Sequence, residues 1–216
     1  PAFTQASPQW RWFWKGFGIM LAGQALMSLT TIIDQFYAVQ LGAGALATLG
    51  YANRVLSLLL GLAAIAVSRA TLPVFSQARP PGAGNGYAVA AHWARLLFAA
   101  GIAVVLLGYA LAPWVIRLLF ERGQFSAADT AVVAGVLRYG LAQLPFYFSS
   151  MVLVSYALSR RRYTLIFWSG VIGCAGKVVG NGLLVPALGI NGVALGTMFV
   201  YGLNALFFWI TLRRSP

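Results

Sequence analysis

Six long apolar stretches, separated by short polar turns, make up most of this sequence. A helix needs about 20 apolar residues to cross the hydrocarbon core of a bilayer, because each residue advances it by about 1.5 Å. Hydrophobic residues are 60% of the 216 residues and charged residues only 8%, a balance that water-soluble proteins do not reach. The sequence therefore predicts an all-α, polytopic membrane protein with a bundle of six transmembrane helices. The predicted helices are residues 17–41, 45–75, 88–111, 127–158, 164–185 and 190–212.

Short sequence motifs predict where segments of the chain begin, end or bend. Residues 1–15 contain the aromatic and basic run WRWFWK, which is typical of a headgroup layer. We therefore expect an N-terminal interfacial segment at 1–15 and the six-helix bundle at 16–216. Residues 112–125 are amphipathic and are predicted to lie in the membrane interface. The fourth helix opens on an S-x-x-D capping box at Ser126, and Pro145 should kink it.

Four charged residues fall deep inside the predicted helices: Asp34, Arg54, Arg138 and Lys177. Asp34 and Arg54 flank the Gly-rich turn at residues 42–44, and the helical rise places both on the order of 12 to 15 Å below one membrane surface. An ionised group in hydrocarbon costs about 2.5 to 3.5 kcal/mol, so such groups are given partners or a wet cavity. A purely structural network would tend toward neutrality. The surplus of positive charge therefore indicates a water-filled cavity that receives an anion.

Small and polar residues form one stripe on each of the first two helices, at spacings of three and four residues. The stripes contain Gln24, Ser28, Thr31 and Gln35 on the first helix and Gly50, Arg54, Ser57, Gly61, Ala64 and Ser68 on the second. Such a stripe serves either close packing of helices, which small residues favour, or the lining of a cavity. Both interpretations remain open from the sequence.

Basic residues orient the chain. Six spans put both termini on one side of the membrane, and the basic residues of the loops and ends are concentrated on that side. These are Arg11, Lys15, Arg79, Arg160, Arg161, Arg162, Arg213 and Arg214, against Arg117 and Arg122 on the other side. The positive-inside rule makes the termini cytoplasmic. No basic run is interleaved with a polar, foldable surface, so no nucleic acid is expected as a partner.

Enzymatic chemistry is not expected. The chain has three acidic residues, one histidine and one cysteine. This set offers no carboxylate pair in reach, no cluster of metal ligands and no nucleophile with a base. We predict neither a cofactor nor a metal.

Three motifs in the same order and spacing carry a resemblance to a known family. They read GALATLGYANRVLSLLLG, LLFERGQFSAADT and NGLLVPALGINGVALGT. The sequence resembles the C-terminal half of the MurJ/MviN lipid II flippases, members of the MOP transporter superfamily, over nearly its whole length. The resemblance implies one lobe of a two-lobe transporter in the bacterial cytoplasmic membrane, surrounded by membrane lipids. It implies that a missing N-terminal bundle completes a protein that moves a lipid-linked anionic glycan precursor, undecaprenyl-pyrophosphate-linked peptidoglycan precursor, outward by alternating access.

The resemblance also suggests substrate-binding residues. Arg54 falls on the family's cavity arginine, which is associated with the anionic head group; the alternative is an arginine paired only with Asp34. We predict that Arg138 lines the same cavity, reached through the Pro145 kink, as a second anion contact. The alternative for Arg138 is a bond to polar groups or backbone carbonyls of a neighbouring helix.

A second set of residues departs from the family. Some relatives are described with a sodium site in this bundle, and the matching positions here are Asp34, Lys177, Asn181 and Thr197. Because Lys177 takes the place of an asparagine, its ammonium would stand beside Asp34 and exclude sodium by repulsion. This departure predicts a Lys177–Asp34 pair with a separation near 3 to 4 Å. The alternative is a lysine whose long side chain only reaches toward the membrane surface.

Two other functions remain compatible with the sequence. One is a flippase for another polyprenyl-linked glycan, because Arg54 would bind the pyrophosphate group of either lipid in the same way. The other is a non-transporting membrane scaffold that docks glycan-synthesis enzymes. A scaffold has no need of deep surplus charge, so substitutions that neutralise charge distinguish it from a transporter.

Overall fold

The structure is a computed structural model that describes residues 8–76 and 86–213, with their side chains except those of residues 8, 9, 11–13, 15, 68 and 70–76. The described residues form helices and no strands. The helices are α1 (Pro8–Gln40), α2 (Ala45–Ser76), α3 (Gly86–Phe120), α4 (Ala127–Leu141), α5 (Leu144–Ser159), α6 (Tyr163–Leu188) and α7 (Ile190–Arg213). Within these ranges six segments are long and apolar enough to span a membrane, α4 and α5 together forming one of them. The predicted all-α architecture with six spans is confirmed.

The fourth span is broken where the sequence predicted a kink. Proline has no N–H to donate and its ring collides with the carbonyl four residues earlier, so Pro145 ends the preceding helix at Leu141. The buried side chain of Gln143 donates from Nε2 to the Gly140 carbonyl at 2.8 Å, and the Gln143 backbone N–H reaches the same carbonyl at 3.3 Å. The predicted capping box is present at the other end of α4, where Ser126 and Asp129 bond reciprocally. A single helix over 127–158 was therefore wrong, and the cause is Pro145.

Helix α3 crosses α5 at this break with the backbones in contact. A Cβ atom on Gly101 would lie 2.5 Å from Cα and 2.9 Å from N of Pro145, which are both backbone atoms. Only glycine permits that approach, so Gly101 fixes the position of α5 against α3.

Replacing Gly101 by alanine is expected to destabilise the protein by about 1 to 3 kcal/mol, the usual range for an overpacked site. The measurement is thermal unfolding of the detergent-purified protein. Gly18→Ala is the matched control, because nothing lies within 4 Å of a Cβ at Gly18 and alanine favours a helix. An unfolding midpoint of Gly101→Ala equal to that of the control would contradict the close crossing.

The amphipathic segment at residues 112–125 does not form a separate interfacial element. Helix α3 continues through Pro113 to Phe120. One side of this extension is buried in the protein, where Ala112 and Ile116 are 1% and 0% exposed within a core cluster shared with α2 and α4. Trp114 and Leu118 are instead 70% and 84% exposed. A segment separate from α3 was therefore wrong, while contact of its exposed apolar side with the membrane interface stays a prediction.

Two other helices also extend beyond their predicted limits. Helix α6 passes Pro186 and ends at Gly189, whose φ of 57° glycine adopts readily. Helix α1 begins at Pro8, so the described part of the predicted segment 1–15 continues into the first span without a break. Residues 1–7, Arg79 and Arg214 lie outside the described residues.

The arrangement of the helices leaves one side of the bundle open. Helices α6 and α7 pack together, α1 packs mainly on α6, and α3 packs on α4 and α5. Helix α2 packs mainly on α4 and α5, while α1 and α2 touch each other little. The faces of α1 and α2 that turn away from these partners are consequently not covered by the described chain.

Candidate functional site

A buried polar cluster joins α1, α6 and α7. Lys177 Nζ lies 2.8 Å from Asp34 Oδ1, and Asn181 Nδ2 donates to the same oxygen at 2.9 Å. The ammonium also donates to Thr197 Oγ1 and to the Val193 carbonyl, the latter at 3.4 Å. Lys177 is 1% and Asn181 0% exposed. The structure thus brings together all four residues that the sequence grouped, and the predicted ion pair is present.

Small residues make this cluster sterically possible. Lys177 and Asn181 are four residues apart and share one face of α6, together with a series of buried glycines. Near the other end of the interface, a Cβ on Gly170 would lie 2.8 Å from the Gly23 carbonyl of α1. On the α7 side, a Cβ on Gly180 would lie 3.6 Å from Gly196 Cα. Close backbone approach lets the short side chains of α1 and α7 reach an ammonium on α6.

The cluster is electrically neutral and nearly saturated with hydrogen bonds. Lys177 has three N–H donors, and its carboxylate, hydroxyl and carbonyl partners account for all three. Asn181 Oδ1 is the exception, because it is buried and has no hydrogen-bond partner among the described residues. A buried, satisfied ion pair holds three helices in one arrangement and is costly to break from one side only. A role of the cluster in ion coupling stays a prediction.

Arg54 lies outside this cluster, on the open side of α2. Its side chain is exposed, and its guanidinium carbon lies 5.4 Å from the centre of the Tyr51 ring. Asp34 pairs with Lys177, so the alternative of an arginine paired with Asp34 is not what the structure shows. The two other acidic residues, Glu121 and Asp129, are also engaged elsewhere, in an ion pair with Arg117 and in the capping box. No carboxylate of the described chain neutralises Arg54.

Arg54 belongs to the exposed polar surface of α1 and α2. The stripe of α1 is exposed, as are Gly50, Arg54, Ser57 and Gly61 of the α2 stripe, whereas Ala64 is half-buried. A Cβ on Gly50 or on Gly61 would meet nothing within 4 Å. We call this surface the α1/α2 polar surface. Its members are Gln24, Ser28, Thr31, Gln35, Gly50, Arg54, Ser57 and Gly61. Close packing of Gly50 and Gly61 against another described helix is therefore not observed, and the lining of a cavity by the α2 stripe stays a prediction.

Arg138 lies elsewhere, between α4 and α3. Its Nε donates to the Tyr109 carbonyl at 3.0 Å, and its guanidinium carbon is 4.7 Å from the centre of the Tyr109 ring. This backbone contact is the alternative that the sequence left open, and the structure shows no contact between Arg138 and either Arg54 or the buried cluster. Binding of an anion by Arg138 stays a prediction.

Comparisons with known proteins identify the family of this chain. A family model described as "Lipid II flippase MurJ" matches residues 1–216. The chain belongs to the MurJ lipid II flippase family. Its relatives include a probable lipid II flippase MurJ of Vibrio cholerae, 26% identical over 205 residues that cover 90% of this chain and 39% of the relative. Another, from Helicobacter pylori, is 30% identical over 211 residues that cover 94% of this chain and 43% of the relative.

Solved structures show the same fold. A structure titled "Lipid II flippase MurJ, inward closed conformation" matches with a TM-score of 0.78 and 22% identity, over 90% of this chain and 41% of that chain. A MOP superfamily transporter from Pyrococcus furiosus matches with a TM-score of 0.70 and 18% identity, over 91% of this chain and 44% of that chain. This member of the MurJ family therefore spans about two fifths of the length of its relatives. With six membrane-spanning segments and bacterial MurJ relatives, it is a multi-pass protein of the bacterial inner membrane.

Proposed function

We propose that this chain forms one lobe of a transporter that flips lipid II, a polyprenyl-pyrophosphate-linked peptidoglycan precursor, across the cytoplasmic membrane. The observation that carries the proposal is Arg54, an exposed arginine on the α1/α2 polar surface with no carboxylate of the described chain paired to it. Membership of the MurJ family and the shared fold support the same assignment. The relatives are more than twice as long as this chain, which leaves enough sequence for a second bundle. We place that second bundle against the α1/α2 polar surface.

The orientation of the lobe follows from its charges. The basic run Arg160–Arg162 and Arg213 lie at one end of the bundle, against Arg117 and Arg122 at the other. The positive-inside rule places the richer end, with both termini, in the cytoplasm. Arg54 is nine residues into α2, about 14 Å from its outer end, so its guanidinium lies in the outer half of the bilayer.

Arg54 supplies the chemistry that an anionic head group requires. A guanidinium presents parallel N–H donors that match two oxygens of a phosphate, and it keeps its charge at any physiological pH. Hydroxyl and amide groups of the α1/α2 polar surface would hydrogen-bond the sugar and peptide parts as the head group passes through. Alternating access then requires that the lobe move as a unit, and the buried Lys177–Asp34 pair ties α1 to α6 and α7 during that motion.

Complementation tests the proposed function. Bacteria depleted of their own flippase would receive this chain together with an N-terminal bundle from the family, and lipid II exposed on the outer face would be measured. Growth with restored outward exposure of lipid II is expected. Growth without outward lipid II would instead support the scaffold, and outward movement of another polyprenyl-linked glycan alone would support the related flippase.

A further inference from the structure

A groove lies on a side of the bundle that the proposed transport function does not use. It has a volume of about 300 Å³ and is bounded by α3, α5 and α7. No residue of α1 or α2 lines it, so it is separate from the α1/α2 polar surface. Leu206 of the lining is 54% exposed, and Leu96, next to Arg95 on α3, is 50% exposed. The groove therefore opens toward the surrounding lipid.

The shape of the groove suits an extended apolar chain. Gly202 and Ala205 keep its α7 side shallow, and a Cβ on Gly202 would lie 3.8 Å from the Phe146 ring. Phe98 and Phe146 form the opposite wall, with ring centres 5.3 Å apart at 78°. From Gly202 to Trp209 the groove follows α7 for about 10 Å. Such a slot accepts an acyl chain running roughly along the membrane normal.

One end of the groove is positively charged, and the long side chain of Arg95 extends there toward aromatic residues typical of the membrane interface. Arg95 lines that end, and its guanidinium carbon is 5.5 Å from the centre of the Trp209 ring. The Tyr87 hydroxyl donates to the Trp209 carbonyl at 3.5 Å, and the Tyr87 and Tyr156 rings are 6.5 Å apart. A concentration of tyrosine and tryptophan marks the membrane–water interface, where lipid phosphates lie.

No carboxylate of the described residues pairs with Arg95. The three acidic side chains are committed elsewhere: Asp34 to Lys177, Glu121 to Arg117, and Asp129 to the α4 cap. Arg95 is therefore available to an anion bound in the groove. The groove is apolar along most of its length and carries a positive charge at one end. This arrangement complements an anionic phospholipid, which has apolar acyl chains and a negative phosphate.

We propose that the groove between α3, α5 and α7 binds an anionic phospholipid of the inner leaflet. The phosphate contacts Arg95, and one acyl chain lies against Phe98, Phe146 and Gly202. The lipid joins three helices that are distant in the sequence and lies away from the substrate surface. This proposal does not depend on the identity of the transported molecule.

Lipid retention tests the proposal. The protein would be reconstituted into vesicles of phosphatidylcholine and phosphatidylglycerol in equal parts, extracted, and its retained lipids counted by native mass spectrometry. The unmodified protein is expected to retain about five times as much phosphatidylglycerol as phosphatidylcholine. This ratio corresponds to the attraction of an anionic lipid by one arginine near the membrane surface. Arg95→Gln should remove this preference, and Gly202→Leu should lower retention of both lipids by filling the slot.

Matched controls separate this site from general effects. Arg69→Gln removes another exposed arginine from the cytoplasmic half, and Gly18→Leu adds the same side chain at an exposed glycine of α1. Both controls should retain phosphatidylglycerol like the unmodified protein. An unchanged preference in Arg95→Gln, or an equal loss in Arg69→Gln, would overturn the proposal. Retention unaffected by Gly202→Leu in a variant that unfolds at the normal temperature would overturn the placement of the acyl chain.

Discussion

Replacing Arg54 by lysine is expected to lower the rate of precursor transport by about ten- to a hundred-fold, as a hypothesis that follows from the exposed guanidinium. Lysine keeps the positive charge but loses the planar pair of donors that binds two phosphate oxygens. A hydrogen bond to a charged group contributes about 1.5 to 3 kcal/mol, which corresponds to this change in rate when one such bond is lost. The measurement is lipid II exposed on the outer face of flippase-depleted cells that express the variant with an N-terminal bundle.

The control for Arg54→Lys lies on the same helix. Arg69 is also an exposed arginine of α2, but it is outside the α1/α2 polar surface. Arg69→Lys should transport at the rate of the unmodified protein at equal expression. Full transport by Arg54→Lys would show that charge alone suffices and would end the bidentate role. If Arg54 acts through its positive charge alone, Arg54→Lys should transport fully and Arg54→Gln should lose transport. Full transport by Arg54→Gln as well would show that Arg54 does not bind the head group.

Features set by local chemistry could be predicted from the sequence. The six spans follow from the length of apolar runs, and the start of α4 follows from the Ser126 capping box. The Lys177–Asp34 pair could be predicted only through the family resemblance, which matched Asp34 and Lys177 to neighbouring positions of a sodium site. The spans and the cap, by contrast, need only the length of apolar runs and the pairing of backbone groups.

Features that depend on what a helix face meets could not be predicted. The segment at 112–125 has the same pattern whether it contacts lipid head groups or α4. The small residues of α2 have the same spacing whether they pack against a helix or border an open space. Only the observed packing of α2 on α4 and α5 shows that the Arg54 side is uncovered. The groove at Arg95 depends on three helices that are far apart in the sequence, so no local signal indicates it.

The buried cluster leads to the second large effect, which concerns sodium. The Lys177 ammonium occupies the position beside Asp34 that a bound cation would need. Two unit positive charges 4 Å apart repel by about 4 kcal/mol at an effective dielectric constant of 20, roughly a thousandfold in affinity. We therefore expect transport by the unmodified protein to be the same in sodium and potassium, with no sodium-dependent rise in its unfolding temperature.

Replacing Lys177 by asparagine should reverse this behaviour. The change removes the ammonium and leaves beside the Asp34 carboxylate the oxygen atoms that Lys177 contacted, Thr197 Oγ1 and the Val193 carbonyl, together with the oxygen of the new amide. Hard cations prefer oxygen ligands, so this variant is expected to bind sodium and to transport faster in sodium than in potassium. The measurements are unfolding temperature and lipid II exposure, each with sodium replaced by potassium at constant ionic strength.

Two further variants identify the charge as the cause. Lys177→Met removes the ammonium without supplying a ligand, and it leaves Asp34 buried and unpaired, so a loss of about 3 to 5 kcal/mol of stability is expected with no rescue by sodium. The double variant Asp34→Asn with Lys177→Met removes both charges and should recover most of that stability, because replacing a whole buried pair is often neutral. Stabilisation of the unmodified protein by sodium over potassium would contradict the role of Lys177 as a built-in counter-ion. A Lys177→Asn variant that folds normally but shows the same unfolding temperature and transport in sodium and potassium would contradict it as well. In that case the ammonium of Lys177 would not be the group that excludes the cation.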